Sequence, residues 1–321
     1  KRKHFIYSGS LAALSLLPLS SWALATGNKR PAIGKRKFNS PAIEAVIEEI
    51  KQNVSDTELA ALFENCFPNT LDTTVDFEVK DGIPDTYVIT GDIDAMWLRD
   101  SSAQVNPYIP FCIKDEKLSL MIEGLIRRHN RCILLDPYAN AFYKDENKVS
   151  EWKNDKTEMK RGVHERKYEL DSLCYPIRLA YRYWKATGNN QPFNTEWLNA
   201  MKLAVETMRA QQRKNNKGPY SFQRNGGAKT DTLTNNGYGP DVKPVGMICS
   251  AFRNSDDACT YLFNIPENLF AVVVLRYLAE MVTALHSSEA DFSKECLALA
   301  DEVEQAVKEH GTITHGKFNK M

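Results

Sequence analysis

The 321-residue sequence has no C-x-x-C pair, no H-x-H and no H-E-x-x-H. Its seven cysteines, at 66, 112, 132, 174, 249, 259 and 296, stand singly, and its six histidines are equally dispersed. That spacing excludes a zinc module and a dense disulfide framework, and it gives metal-dependent hydrolysis no ligand set. The odd cysteine count leaves at least one thiol unpaired within the chain, and most are expected to be small buried hydrophobes. An excess of either charge is also missing, since 41 basic residues balance 41 acidic ones. A neutral chain lacks the basic patches by which proteins displace counterions from phosphates, so nucleic acid is not an expected partner.

The first residues have the order of an export signal. Lys1-Arg2-Lys3 is basic, residues 11–19 are apolar, and Ala23-Leu24-Ala25 offers a small-x-small cleavage site. The apolar stretch is shorter than the roughly 20 residues a bilayer span needs, so a cleaved signal over 1–25 is expected rather than an anchor. The expected location is the periplasm or the cell exterior, without membrane insertion after cleavage. A basic linker over 26–40 containing Pro and Gly is expected next, followed by one catalytic domain over 41–321.

Helical periodicity begins with Ile43, Val46, Ile47, Ile50 and Val54 on one face. Ser55 with Glu58 reads as a capping box for a second helix to about Asn65. Further helices are predicted at 102–112, 118–130, 172–186, 195–212, 268–286 and 290–310, with Gly188 and Ser287-Ser288 as stops. Extended segments are few, at 73–78 and 86–90. The recurring helix pairs predict an all-α, pairwise-stacked architecture. Two long polar connections, 134–166 and 213–250, are of a length more often functional than idle.

Three short stretches concentrate chemistry. Within nine residues, Asp92, Asp94, Trp97, Arg99 and Asp100 offer an aromatic face and bidentate charged groups, the mixture a pyranose pocket requires. Trp97 in the core beside an Arg99–Asp100 ion pair is the structural alternative, with Ser101 or Ser102 as cap. Glu169 and Asp171 lead into a helix, where Asp171 or Ser172 serves as cap or contacts a ligand at the N-terminus. Arg253, Asp256 and Asp257 form the third group. A buried member of an adjacent carboxylate pair has a raised pKa, as a general acid requires.

Three segments, ITGDIDAMWLRDSSAQ at 89–104, YELDSLCYP at 168–176 and FRNSDDACTYLFNIPENLFAVV at 252–273, resemble glycoside hydrolase family 125. The resemblance implies an (α/α)6 barrel that removes terminal α-1,6-linked mannose with inversion, using neither metal nor cofactor. The implied substrate is a mannose-containing oligosaccharide from mannan or N-glycan. Trp97, Arg99 and Asp100 would form its pocket, with Asp92, Glu169, Asp171 and Arg253 as further candidates, and either Asp256 or Asp257 would be the general acid.

Family members continue past the position corresponding to Met321, and their general base, a glutamate, lies in that later part. A C-terminally truncated, incomplete toroid that lacks its base and is therefore inactive is the expectation. Six helix pairs require about twelve helices, against the roughly eight or nine legible here. Two other readings are a secreted helical glycan-binding protein without hydrolytic activity, and a hydrolase or lyase of the same toroid acting on another sugar. The segment 213–241 is expected to shape a leaving-group subsite.

Overall fold

A computed structural model describes residues 30–91, 93–314 and 316–317. The expected signal over 1–25 and the candidate Asp92 lie outside the described residues. From Arg30 onward the expected linker is tied into the fold. Arg30 meets Asp72 at 2.6 Å and Glu44 at 2.5 Å, the Lys37 and Phe38 amides donate to the carbonyls of Asp72 and Leu71, and Phe38 is buried.

Helix α1 (Pro41–Asn53) starts where Ser40 accepts the Ile43 amide and Pro41 occupies the first turn. It buries Ile43 and Ile47, the face read from the spacing. Helix α2 (Thr57–Cys66) is capped by Asp56, which accepts the Glu58 and Leu59 amides. The predicted Ser55–Glu58 box is replaced because the carboxylate one residue later reaches two free amides at once. A short helix α3 (Asn69–Thr73) then leads into strands β1 (Val75–Lys80) and β2 (Ile83–Val88).

These strands form an antiparallel hairpin closed by Asp81-Gly82. Both turn residues have positive φ, 52° and 78°, the geometry that matches strand twist in a two-residue hairpin. The architecture is thus mostly helical rather than purely α. A second small sheet joins β3 (Met96–Trp97), β4 (Ala141–Phe142) and β5 (Val163–Glu165) in that order.

Helix α4 (Leu98–Val105) begins earlier than predicted, so Ser101 and Ser102 lie inside it and donate back to the Trp97 and Leu98 carbonyls. The predicted continuation to residue 112 becomes a 3-10 helix over Asn106–Lys114, because Pro107 and Pro110 supply no N–H to an α-helical ladder. Helix α5 (Glu116–Leu135) is capped by Asp115 and packs on β2. Helix α6 (Leu170–Thr187) ends at Gly188 with φ 66°, the left-handed stop expected there.

Helices α7 (Thr195–Ala210), α8 (Ile265–Leu285) and α9 (Ala290–His310) complete the framework. The last two pack as a pair, and α8 also lies against α6. By length and composition α8 could cross a membrane; half of its apolar window is buried inside this fold. All seven cysteines are unpaired, and all but Cys66 are buried. The long connections 136–169 and 211–264 supply Asn140, Lys167, Asn254 and Asp256 to the site.

Candidate active site

The site is assembled where α4, α6 and the turn at 252–258 converge. Thr90 Oγ1 accepts the Trp97 amide at 3.1 Å, and the Leu98 amide donates to the Asn140 carbonyl at 3.0 Å. This fixes Trp97 at the N-terminus of α4, with Arg99 and Asp100 in its first turn. The indole meets His164 edge-on at 5.3 Å, and its buried N–H has no partner.

Arg99 is the centre of charge. One guanidinium faces Glu169 at 2.5 Å, Asp171 at 3.4 Å, Asp100 at 3.4 Å and Asp256 at 3.9 Å. Burial alone would lower the Arg99 pKa, but Glu169, Asp171 and Asp100 more than reverse that and raise it. Burial pushes Glu169 well above the usual carboxylate range; Arg99 opposes the shift, while Asp171 and Asp256 add to it. Asp171 and Asp100 are raised for the same first reason, with Arg99 again opposing. At the start of α6 neither Asp171 nor Ser172 acts as cap. Glu169 occupies that position, and Ser172 donates to its carboxylate at 2.9 Å.

The Asp256-Asp257 pair divides. The Arg253 amide donates to the Asp257 carbonyl, and the Asp256 amide donates to the Arg253 carbonyl, closing a tight turn. Asp256 takes φ 61°, left-handed backbone that Asp tolerates better than most residues. Asn140 donates to its carboxylate at 3.4 Å, and Lys167 to its carbonyl at 2.9 Å. Asp257 instead accepts from Ser255 and Arg253, both at 3.0 Å. Those bonds, Ser255 foremost, hold its carboxyl below the usual range. Neither member is buried, with side chains 40% and 37% exposed. Burial raises the carboxyls of Glu169, Asp171 and Asp100.

A cleft of about 210 Å³ opens here, lined by Thr90, Gly91, Ile93, Trp97, Arg99, Asp100, Asn254 and Asp256. Of the residues singled out in the sequence, Trp97, Arg99, Asp100 and Asp256 share this lining. Glu169 and Asp171 stand behind it, paired with Arg99. Arg253 and Asp257 bond to each other outside it. Nothing from 213–241 lines the cleft, although the Ala258 amide donates to the Thr230 carbonyl and Asp231 meets Lys167 at 3.0 Å.

Asn254 falls within a segment already singled out, and Lys167 adjoins Tyr168-Glu169. Asn140 carried no signal, because only the β3–β4 pairing brings it to the site. The arrangement suits a sugar: an indole face for apolar C–H groups, charged and amide groups for hydroxyls, and a carboxyl at the rim.

A mostly helical framework thus carries an indole, a guanidinium and carboxylates in one cleft. Residues 56–321 match the metal-independent α-mannosidases (GH125), and the chain belongs to that family. The meiotically up-regulated gene 157 protein of Schizosaccharomyces pombe is 38% identical over 311 residues, covering 91% of this chain and 60% of that protein. A metal-independent α-mannosidase of Streptococcus pneumoniae, solved as a non-productive complex with α-1,6-mannobiose, superposes with TM-score 0.82 and 40% identity. That match covers 88% of this chain and 66% of the other. The chain therefore spans about 60–66% of the length of these relatives.

Proposed function

We propose that this protein is an exo-acting, inverting α-mannosidase that releases terminal α-1,6-linked mannose, and that its helix pairs are part of an (α/α)6 toroid. The observation that carries the reading is the convergence of Asp256, Trp97 and Arg99 on one small cleft in a chain of this family. The cleft is smaller than the roughly 300–1,000 Å³ typical of drug-sized ligands, which suits one terminal sugar rather than a chain threading through.

In the proposed reaction the Asp256 carboxylic acid gives its proton to the glycosidic oxygen. The C1–O bond breaks with its electron pair on that oxygen. Water attacks C1 from the opposite face and gives a proton to a second carboxylate, which stands roughly 6.5–9.5 Å from the acid in inverting enzymes. That base is proposed to be the family's glutamate, in the part of the family's length that this chain does not span. Arg99 and Asp100 would bind hydroxyls, and the Trp97 indole would take the apolar face.

The test is incubation of a chain extended to the family's full length, which carries the base, with α-1,6-mannobiose in the presence of a chelator, followed by proton NMR of the first product; this chain alone is expected to release no mannose. β-Mannose appearing first supports the reading, and α-mannose first rejects inversion. Binding without any release by that full-length chain favours the glycan-binding alternative. Export to the periplasm or exterior is proposed from residues 1–25. A mature N-terminus just after Ala25 would support it, and an intact start would reject it.

A further inference from the structure

Glu267, in the first turn of α8, is 5% exposed and lies behind the cleft rather than in it. Its Oε1 accepts from Asn264 at 2.6 Å, while Oε2 is buried with no partner. Beside it stand the Ser250 hydroxyl and the Leu170 amide. Ser250 Oγ accepts the Leu170 amide at 3.0 Å and donates its one proton to the Phe252 carbonyl at 2.8 Å. This hydroxyl thus joins the start of α6, which carries Asp171, to the segment that leads into the Asp256 turn.

A serine hydroxyl has a single proton to give. A neutral Glu267 leaves that proton on the Phe252 carbonyl. An ionised Glu267 competes for it, and winning it releases the Phe252 end. We propose that neutral Glu267 is a positioning residue for the Asp256 turn and the Arg99–Asp171 pair, and that its ionisation loosens the cleft and weakens sugar binding. The proposal rests on the reading of the cleft as a mannoside site.

The surroundings favour the neutral form. Asp171 faces Glu267 from α6, with Glu169 at the cap of that helix. Tyr168 and Cys174 from the same stretch and Cys259 from the following loop also lie in its field, and Arg99 is the opposing cation. The N-terminus of α8 favours an anion, but desolvation first and Asp171 second outweigh it and raise the Glu267 pKa to about 8.

The test is the affinity of the chain for α-1,6-mannobiose between pH 6 and 9.5, in wild type, Glu267→Gln and Glu267→Ala. Wild-type affinity is expected to hold to about pH 8 and then fall by up to about tenfold per pH unit. Gln mimics the neutral acid, so its affinity at pH 7 stays within about threefold of wild type, under 1 kcal/mol, and shows no alkaline fall; Ala binds weakly throughout. A wild type flat to pH 9.5, an alkaline fall retained in Glu267→Gln, or loss of binding by folded Glu267→Gln at pH 7 would each overturn the proposal.

Absence of mannobiose binding at every pH would reject the mannoside reading, and stability then decides the role of Glu267. A group with a raised folded pKa contributes stability that is complete below its unfolded value near 4.5 and is lost as pH rises through the folded value. The urea midpoint of wild type should therefore fall relative to Glu267→Gln between pH 5 and 8. Parallel curves overturn the neutral assignment.

Discussion

The Arg99 guanidinium meets the fully buried Glu169 carboxylate at 2.5 Å, and no other cation pairs with Glu169 among the described residues. The pair links the first turn of α4 to the N-cap of α6, two positions 70 residues apart in sequence. Desolvating both charges is costly, so the pair sets the shape of the cleft more than it adds net stability. Removing one partner is a different matter, since it strands the other charge.

Arg99→Leu should therefore cost about 3 kcal/mol at pH 7, the low end for breaking a buried pair, because Glu169 can escape by taking a proton. The cost should shrink at pH 5, where that proton is easier to obtain. Urea denaturation at the two pH values measures both quantities. Equal costs would show that the stranded carboxylate is not what destabilises the variant.

Asp256→Asn and Asp257→Asn should separate sharply. In the full-length protein that carries the base, the first removes the proposed proton donor while keeping its size, so mannobiose affinity should persist and mannose release should fall by at least about 100-fold. The second removes only solvent-exposed bonds to Arg253 and Ser255, and its activity should stay within a few-fold of wild type. The reverse pattern in release and affinity would move the acid to Asp257.

Stability at low pH should depend on Asp85. Burial would raise its carboxyl, but Arg128 first and then Arg131 outweigh that, leaving it below the usual 3.8. A depressed folded pKa gives stability that is present above the unfolded value and is lost as pH falls through the folded one. Asp85→Asn should be less stable at pH 7 yet show a shallower decline below pH 4. An unchanged acid slope in thermal melts would count against this pair as a cause of acid unfolding.

Gly124 marks the contact between α5 and the hairpin. A Cβ there would lie 2.6 Å from Thr86 Oγ1 and 2.9 Å from the Asp85 carbonyl carbon. Ala gains up to about 1 kcal/mol of helix propensity, whereas overpacking against backbone costs roughly 1–3 kcal/mol. Gly124→Ala should thus be destabilised by up to about 2 kcal/mol in urea melts. A stabilised variant would mean that the hairpin yields freely.

Apolar spacing made the long helices legible, because a face that must be buried recurs every three to four residues whatever lies opposite. Residues 118–130, 172–186 and 290–310 fall within observed helices, 195–212 and 268–286 overrun theirs by two residues and one, and the Gly188 stop stands as expected. Caps were read less well. Ser55, Ser101, Ser102, Asp171 and Ser172 are all competent capping residues, and neighbouring Asp56, Trp97 and Glu169 took the positions instead. A shift of one to four residues in a helix start costs little locally and is decided by what the first turn packs against. The Asp81-Gly82 hairpin carried a direct signal in its turn residues, and only weak alternation in the flanking strands obscured it.

The residue types of the site were set by the chain itself. Trp97, Arg99, Asp100 and Asp256 sit in short dense motifs, and the resemblance to the GH125 family rested on the same stretches as the match over residues 56–321. Tertiary structure alone decided which of the carboxylates face the cleft. Sequence adjacency placed Asp256 and Asp257 together, yet a left-handed residue turns one toward Arg99 and Asn140 and leaves the other on Arg253 and Ser255. Likewise, burial raised Glu169, Asp171 and Glu267. Desolvation and charge pairing depend on which surfaces close over a group, and those surfaces come from segments 70 or more residues away.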